Sequence, residues 1–241
     1  RRITLFPYTT LFRSKVVLVT GAAGSIGGEL CRQLLNIPLQ QLILFDAAET
    51  PMNDMMLELR EVAPKIEKKF IIGDVRQQPK LEYVFKRYNP NVVFHAAAYK
   101  HVPMMESNPV EAVNTNVFGT KNVADIAVRY GVEKFVMIST DKAVNPANVM
   151  GASKRIAEIY TQSLSRAIAA GEVKGITKFV TTRFGNVLGS NGSVIPLFKK
   201  QIAEGGPVTV TDPRIIRYFM TIPEACRLVM EAATMGREDE I

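Results

Sequence analysis

The stretch Lys15-Val-Val-Leu-Val-Thr20-Gly21-Ala-Ala-Gly24-Ser25-Ile26-Gly27 decides how this chain folds. A short apolar run reads as a strand buried on both faces, and a glycine-rich turn that opens into a helix follows it at once. Missing Cβ atoms at Gly21, Gly24 and Gly27 let backbone N–H groups and the N-terminus of that helix, from Ser25 and Ile26 onward, approach a pyrophosphate. Three such glycines would also serve a plain tight turn, so the rest of the chain has to choose between the two.

Further runs rich in Val, Ile and Phe stand at 41–46, 69–74, 91–96, 134–140 and 178–184. Between and after them, helical patterns are expected at 25–35, 52–62, 80–88, 109–130, 151–170, 195–204 and 223–235. Buried strands that alternate with helices predict an α/β fold: a doubly wound parallel sheet of Rossmann type, over 15–185. Beyond about Asn186 the alternation gives way to Gly, Ser and Pro punctuation with one short strand near Val208. Segment 186–241 therefore reads as a small substrate-binding lobe, interleaved with the first domain and partly truncated at its end.

Segment 1–14 follows neither periodicity, and its run 4–14 resembles the conceptual translation of a sequencing-library adapter, so it is set outside the fold. Without Arg1, Arg2 and Arg13 the formal charge of +7 falls to +4, which suits a small anionic ligand and no nucleic acid in particular. Lys199 and Lys200 read as a solvated helix face. Two distant cysteines, Cys31 and Cys226, give neither a disulfide framework nor a metal spacing, and imply a reducing, cytoplasmic setting. No run of 18 apolar residues exists, so no membrane contact is expected from these residues.

Asp46 ends the second strand 19 residues after Gly27, close to the offset of about 20 at which a carboxylate takes the adenosine ribose hydroxyls. Capping of the next helix is the alternative use of this Asp. Asp74 and Val75, after the third strand, can offer a carboxylate and an amide to adenine. Ala96, Ala97 and Ala98, after the fourth, offer small side chains beneath the phosphates and ribose. His95 and His101 lie six apart with no carboxylate or cysteine at ligand spacing, so no metal is expected.

Four motifs then stand in order: the three glycines, Asn114-Thr-Asn116-Val-Phe-Gly119-Thr120, Ser139-Thr140-Asp141-Lys142 and Met150-Gly-Ala-Ser-Lys154. With Ala97-Ala-Tyr-Lys100-His101-Val-Pro103 and Arg183-Phe-Gly-Asn186-Val-Leu-Gly-Ser190 they give a chain that closely resembles the polysaccharide-biosynthesis UDP-N-acetylglucosamine 4,6-dehydratases, extended short-chain dehydrogenases. The resemblance covers about 15–235. It implies tightly held NAD, a hydride taken from sugar C4, loss of water across C5 and C6, and return of the hydride to C6. It also implies a homo-oligomer, a UDP-sugar substrate, and a larger protein whose core is tethered to the cytoplasmic face of a membrane.

Most short-chain dehydrogenases carry Tyr-x-x-x-Lys, whereas Met150 stands at the tyrosine position here, as in one long-chain branch of the dehydratases. The resemblance gives Lys154 the nicotinamide ribose, without titrating. It makes Lys142 the base for C5, Asp141 the acid for the C6 hydroxyl, and Thr140 part of the C4 proton relay. A helix cap is the alternative use of Asp141. Lys100 and His101 are expected on the substrate side, Asn186, Ser190, Ser193 and Val208-Thr209-Val210 around the nucleotide, and Arg217 on its phosphates, where a planar guanidinium fork pairs well. A nucleotide-sugar epimerase and a non-catalytic NAD-binding module are the alternatives.

The carboxylate of Asp46 would repel a 2′-phosphate, so NAD should bind more tightly than NADP by on the order of several kcal/mol. Calorimetric titration with both dinucleotides checks this, and equal affinities would refute the assignment.

Overall fold

The computed structural model describes residues 7–189, 194–210, 212–214, 216 and 218–235. Six strands form one parallel sheet: β1 (Val16–Thr20), β2 (Gln41–Asp46), β3 (Glu67–Ile72), β4 (Val92–His95), β5 (Lys134–Thr140) and β6 (Lys178–Phe184), in the spatial order β3-β2-β1-β4-β5-β6. The order reverses between β1 and β4, so the C-terminal ends of these strands open a crevice where such sheets bind ligands.

Side chains alternate along each strand into two apolar layers. Val17, Val19, Leu42, Leu44 and Phe94 point into one, against α2 (Ser25–Leu34), α3 (Glu49–Leu59) and α10 (Ile222–Met235). Leu18, Ile43, Phe45, Val93 and Phe135 point into the other, against α4 (Gln78–Tyr88), α7 (Thr120–Arg129) and α8 (Val149–Ala169). This is the doubly wound arrangement expected of strands buried on both faces.

Several boundaries differ from the sequence reading. α1 (Pro7–Phe12) is helical, and its Phe12 is fully buried against the edge of Phe94, with ring centroids 5.6 Å apart. The irregular pattern of 1–14 did not anticipate that one aromatic ring would fill a gap beside α10. A short α5 (Val102–Ser107) precedes the helix expected at 109–130, which runs from α6 (Pro109–Ala112) through a π-helical stretch, Val113–Gly119, into α7 without a break. The third strand ends at Ile72, and Asp74 lies in the turn beyond it.

The strand expected near Val208 does not form. The backbone N–H of Thr209 and its hydroxyl turn instead to the side chain of Gln201, in α9 (Val194–Ala203), at 3.2 and 2.8 Å. The short ladder of the C-terminal region is made by β7 (Asn186–Leu188) and β8 (Phe219–Thr221), paired in parallel. From β8 the chain enters α10, which returns to pack on α2.

Candidate functional site

The glycine-rich turn is built by contacts between backbones. A Cβ on Gly21, whose φ is +69°, would lie 2.5 Å from the N of Ala97, and one on Gly27 would lie 2.0 Å from the O of Gly21. No other residue type fits either place, so the first turn of α2 sits flush against the end of β4. Beside it, the Asp46 carboxylate accepts hydrogen bonds from Ala23 N and Ala48 N, both at 2.9 Å. Those bonds aim the carboxylate at the glycine turn, and its second lone pairs stay available for ribose hydroxyls. These features fit a dinucleotide.

Beyond β3, Asp74 accepts from the backbone N and guanidinium of Arg76, at 2.6 to 2.8 Å, and those side-chain bonds hold its carboxyl below the ordinary value. Val75 is buried, and its carbonyl accepts from Asn122 of α7 at 3.1 Å. His95 is wholly buried, with its ring nitrogens against the hydroxyls of Thr20 at 2.7 Å and Thr120 at 3.0 Å. Burial, with a smaller push from Lys154, brings its pKa down to about 3, so it stays neutral and holds β1, β4 and α7 in register. Among the described residues no group of His, Cys, Asp and Glu is arranged to hold a metal ion.

A cavity of about 790 Å³ opens above the ends of β4, β5 and β6. Ile26, Ala96, Ala98, Lys100, His101, Thr140, Lys142, Met150, Lys154, Asn186, Thr209 and Val210 all border it, so residues far apart in sequence meet there as expected. Val208 does not border it, and Ser190, Ser193 and Arg217 lie outside the described residues. Phe184, Phe198 and Phe219 complete an apolar wall, with Asp212 beside them. Sequence reasoning missed these four; only Phe184 sat inside a quoted motif.

After β5 the chain makes one 3₁₀ turn, Asp141–Ala143. There Thr140 Oγ1 donates to Asp141 Oδ1 at 2.9 Å, and Lys142 Nζ reaches the same oxygen at 2.9 Å. Burial pushes the Asp141 carboxyl up, but the hydrogen bonds from Lys142 and Thr140 outweigh this and hold it below the usual value. The two side chains form a salt bridge. The turn rests directly on α8, because a Cβ on Gly151 would stand 2.2 Å from the O of Lys142.

The N-terminus of α8 is fixed from several sides. Asn148 caps it at Gly151 N (2.8 Å), and Glu106 of α5 accepts from Val149 N (2.7 Å). Asn116, on the π-helical stretch and fully buried, binds both the N and O of Tyr99 and donates to Ser153 Oγ at 2.9 Å. The segment that carries Lys100 and His101 is thereby stitched to the helix that carries Met150 and Lys154. Met150 itself packs with Met105 and Ala112.

Lys154 is almost wholly buried and donates to Ile138 O at 2.7 Å. Burial pulls its pKa down to about 8, against a weaker upward pull from Glu158.

Such a parallel sheet, with a glycine turn, an oriented Asp46 and a lysine-bearing helix beside a cavity, is the architecture of the extended short-chain dehydrogenases. The family described as polysaccharide biosynthesis protein matches residues 17–241, and the chain belongs to it. It is 53% identical over 229 residues to the capsular polysaccharide biosynthesis protein CapD of Staphylococcus aureus, and 52% identical over 230 to the probable polysaccharide biosynthesis protein EpsC of Bacillus subtilis (strain 168). Each match takes 95% of this chain and 37% of the relative, so the chain spans well under half of their length. An uncharacterized membrane protein of Methanocaldococcus jannaschii is 46% identical over 97% of the chain and 67% of its own length. A UDP-glucose 4-epimerase of Rickettsia rickettsii is 38% identical over 96% and 66%. Among solved structures, Pen from Bacillus thuringiensis superposes with a TM-score of 0.86 at 37% identity, over 94% of this chain and 69% of that one. The Thermus thermophilus UDP-glucose 4-epimerase in complex with NAD gives 0.74 at 25%, over 92% and 75%.

Because the folded pKa of Lys154 lies below the unfolded value of 10.5, the unfolded chain binds the extra proton between about pH 8 and 10.5, and stability rises with pH there. Below that window both states are charged and the burial cost is felt in full. Lys154→Met should therefore be more stable than the parent at pH 7 by roughly 2–3 kcal/mol, with the advantage fading above pH 10. Urea unfolding across pH measures it; a destabilised variant at pH 7 would contradict the buried charge.

Proposed function

We propose that this chain is the NAD-dependent catalytic core of a nucleotide-sugar 4,6-dehydratase acting on UDP-N-acetylglucosamine. The observation that carries the reading is the hydrogen-bonded row Thr140, Asp141, Lys142: Thr140 and Lys142 border one cavity with Lys154, and Asp141 stands behind them, bonded to both. Elimination across C5 and C6 needs a base and an acid side by side, and an epimerase, which only removes and returns hydrogen at C4, has no use for the second pair. Bound NAD would accept and later return the C4 hydrogen with its electron pair.

The chain's own groups would do the rest. Gly21, Gly24, Ser25 and Gly27 would receive the pyrophosphate, Asp46 the adenosine ribose and Lys154 the nicotinamide ribose. Thr140 would hand on the O4 proton in place of the phenol that Met150 lacks. One proton passing from Lys142 to Asp141 along their 2.9 Å contact turns the resting ion pair into a neutral amine and a carboxylic acid. Lys142 would then take the C5 proton while Asp141 protonates the departing C6 hydroxyl, so the pair ends as it began. Lys100, exposed at the cavity rim with its pKa lowered by partial desolvation, suits the anionic side of the substrate with His101. Asn186 and Thr209 would meet the nucleotide, and Arg217 its diphosphate.

The relative named a membrane protein supports a tethered form of the whole protein, although no helix among the described residues is long and apolar enough to cross a membrane. Val110, Phe118, Ile156 and Ile159 leave apolar side chains exposed near and on α8, which supports a homo-oligomer formed through that face. Phe118→Glu should shift the sedimenting species to the monomer, and an unchanged species would remove that face from the interface.

Incubation with UDP-N-acetylglucosamine followed by NMR should give a 4-keto-6-deoxy product, whereas a C4 epimer would favour the epimerase. Lys142→Met in a full-length protein should still oxidise C4, seen as absorbance of reduced nicotinamide, but should fail to admit solvent deuterium at C5. Normal deuterium uptake in that variant would dismiss Lys142 as the base.

A further inference from the structure

We propose that the Glu158–Arg183 ion pair is a positioning device for the cofactor site: it sets the charge of Lys154 by holding one buried negative charge a turn along α8 and partly cancelling it from β6. Glu158 is four residues after Lys154, on the same face of the helix, and it is fully buried. Arg183 grips it with two parallel bonds, Nε to Oε1 at 2.8 Å and Nη2 to Oε2 at 2.5 Å, and Arg155 adds a third at 3.1 Å. The Ser139 hydroxyl lies beside the same carboxylate and, with both arginines, outweighs burial to hold it ionised.

A clamp between β6 and α8 could be made of apolar side chains, which often stabilise as well or better than a buried ion pair. What an apolar clamp could not supply is a field at Lys154. The charged and titratable groups that face this lysine are few. α8 brings Glu158 and Arg155, β6 brings Arg183, and β4 brings His95, which stays neutral. The turn after β5 brings Asp141 and Lys142, whose charges offset one another, the segment after β4 brings Tyr99, Lys100 and His101 across the cavity, and Asp212, paired with Arg214, borders the same cavity. Among them Glu158 is the fully buried anion, and its attraction is the one that raises the Lys154 pKa against burial. Stronger pairing by the arginines weakens that attraction, so β6 modulates a group carried by another element. The consequence for catalysis rests on the placement of Lys154 beside the nicotinamide ribose: an ammonium there repels the oxidised ring, and a neutral amine does not.

The test reads Lys154 directly, without substrate or cofactor. Protein labelled with ε-¹³C lysine gives its titration midpoint by NMR, the resonance being assigned from Lys154→Met. Glu158→Gln should lower the midpoint by about one unit, a tenfold change in proton affinity, because only repulsion from Arg183 and Arg155 remains. Arg183→Gln should raise it by a smaller amount, since Arg155 keeps Glu158 ionised, and the double variant should fall between the two. A merely structural clamp would lower the melting temperature in all three variants and leave the midpoint in place. If Glu158→Gln fails to fold, Arg183→Gln carries the sign, because its side chain is partly exposed and its loss leaves one arginine on the carboxylate. A midpoint unmoved in Arg183→Gln, or moved downward, would overturn the proposal. Opposite shifts in a protein without dehydratase activity would keep the proposal and discard that activity.

Discussion

A lysine ammonium taken out of water beneath the end of β5 is the constraint around which this molecule is organised. Its cost can be borne only where a carbonyl, here Ile138 O, receives one of its protons and where a carboxylate stands within a turn. Both requirements fix α8 against the sheet. The helix cannot rotate without tearing the lysine from the strand, nor slide without opening the contact between Gly151 and the turn after β5. The row Thr140, Asp141, Lys142 thus takes its position from α8, on which the turn rests at Gly151.

The rest of the site follows the same economy of backbone contacts. Gly21 and Gly27 bring α2 against the end of β4, and the neutral His95 ties β1 to α7 with two hydroxyls. Asn116 is the link between the two halves of the cavity: with Tyr99 on one side and Ser153 on the other, it couples the segment of Lys100 and His101 to α8. The π-helical stretch around it has a clear use, since an extra residue in the turn re-aims one side chain without ending the helix.

Much of this was legible in the residues alone. Strands buried on both faces announce themselves by unbroken apolar runs, and Gly21 after the first of them and Asp46 at the end of the second pointed to the crevice at their C-terminal ends. What the sequence hid has a common physical origin. Phe12, Phe198 and Phe219 act through tertiary contacts that no local periodicity encodes. The ladder of β7 and β8 pairs segments about thirty residues apart, each only three residues long, and the valines at 208 and 210 looked more strand-like than either. The buried state of Lys154, and with it a lowered pKa, depends on what surrounds a helix face, which the spacing of Met150 and Lys154 cannot convey.

Met150 is enclosed by the thioether of Met105 and the small side chain of Ala112, and it carries none of the bonds that hold the turn. The turn is located by Gly151 next door, through backbone alone. Position 150 is therefore free to drift in a way that its neighbours are not: flexible methionines repack readily around a larger or smaller side chain. In evolutionary terms, position 150 could exchange a thioether for a phenol, or the reverse, while the backbone around it stayed in register.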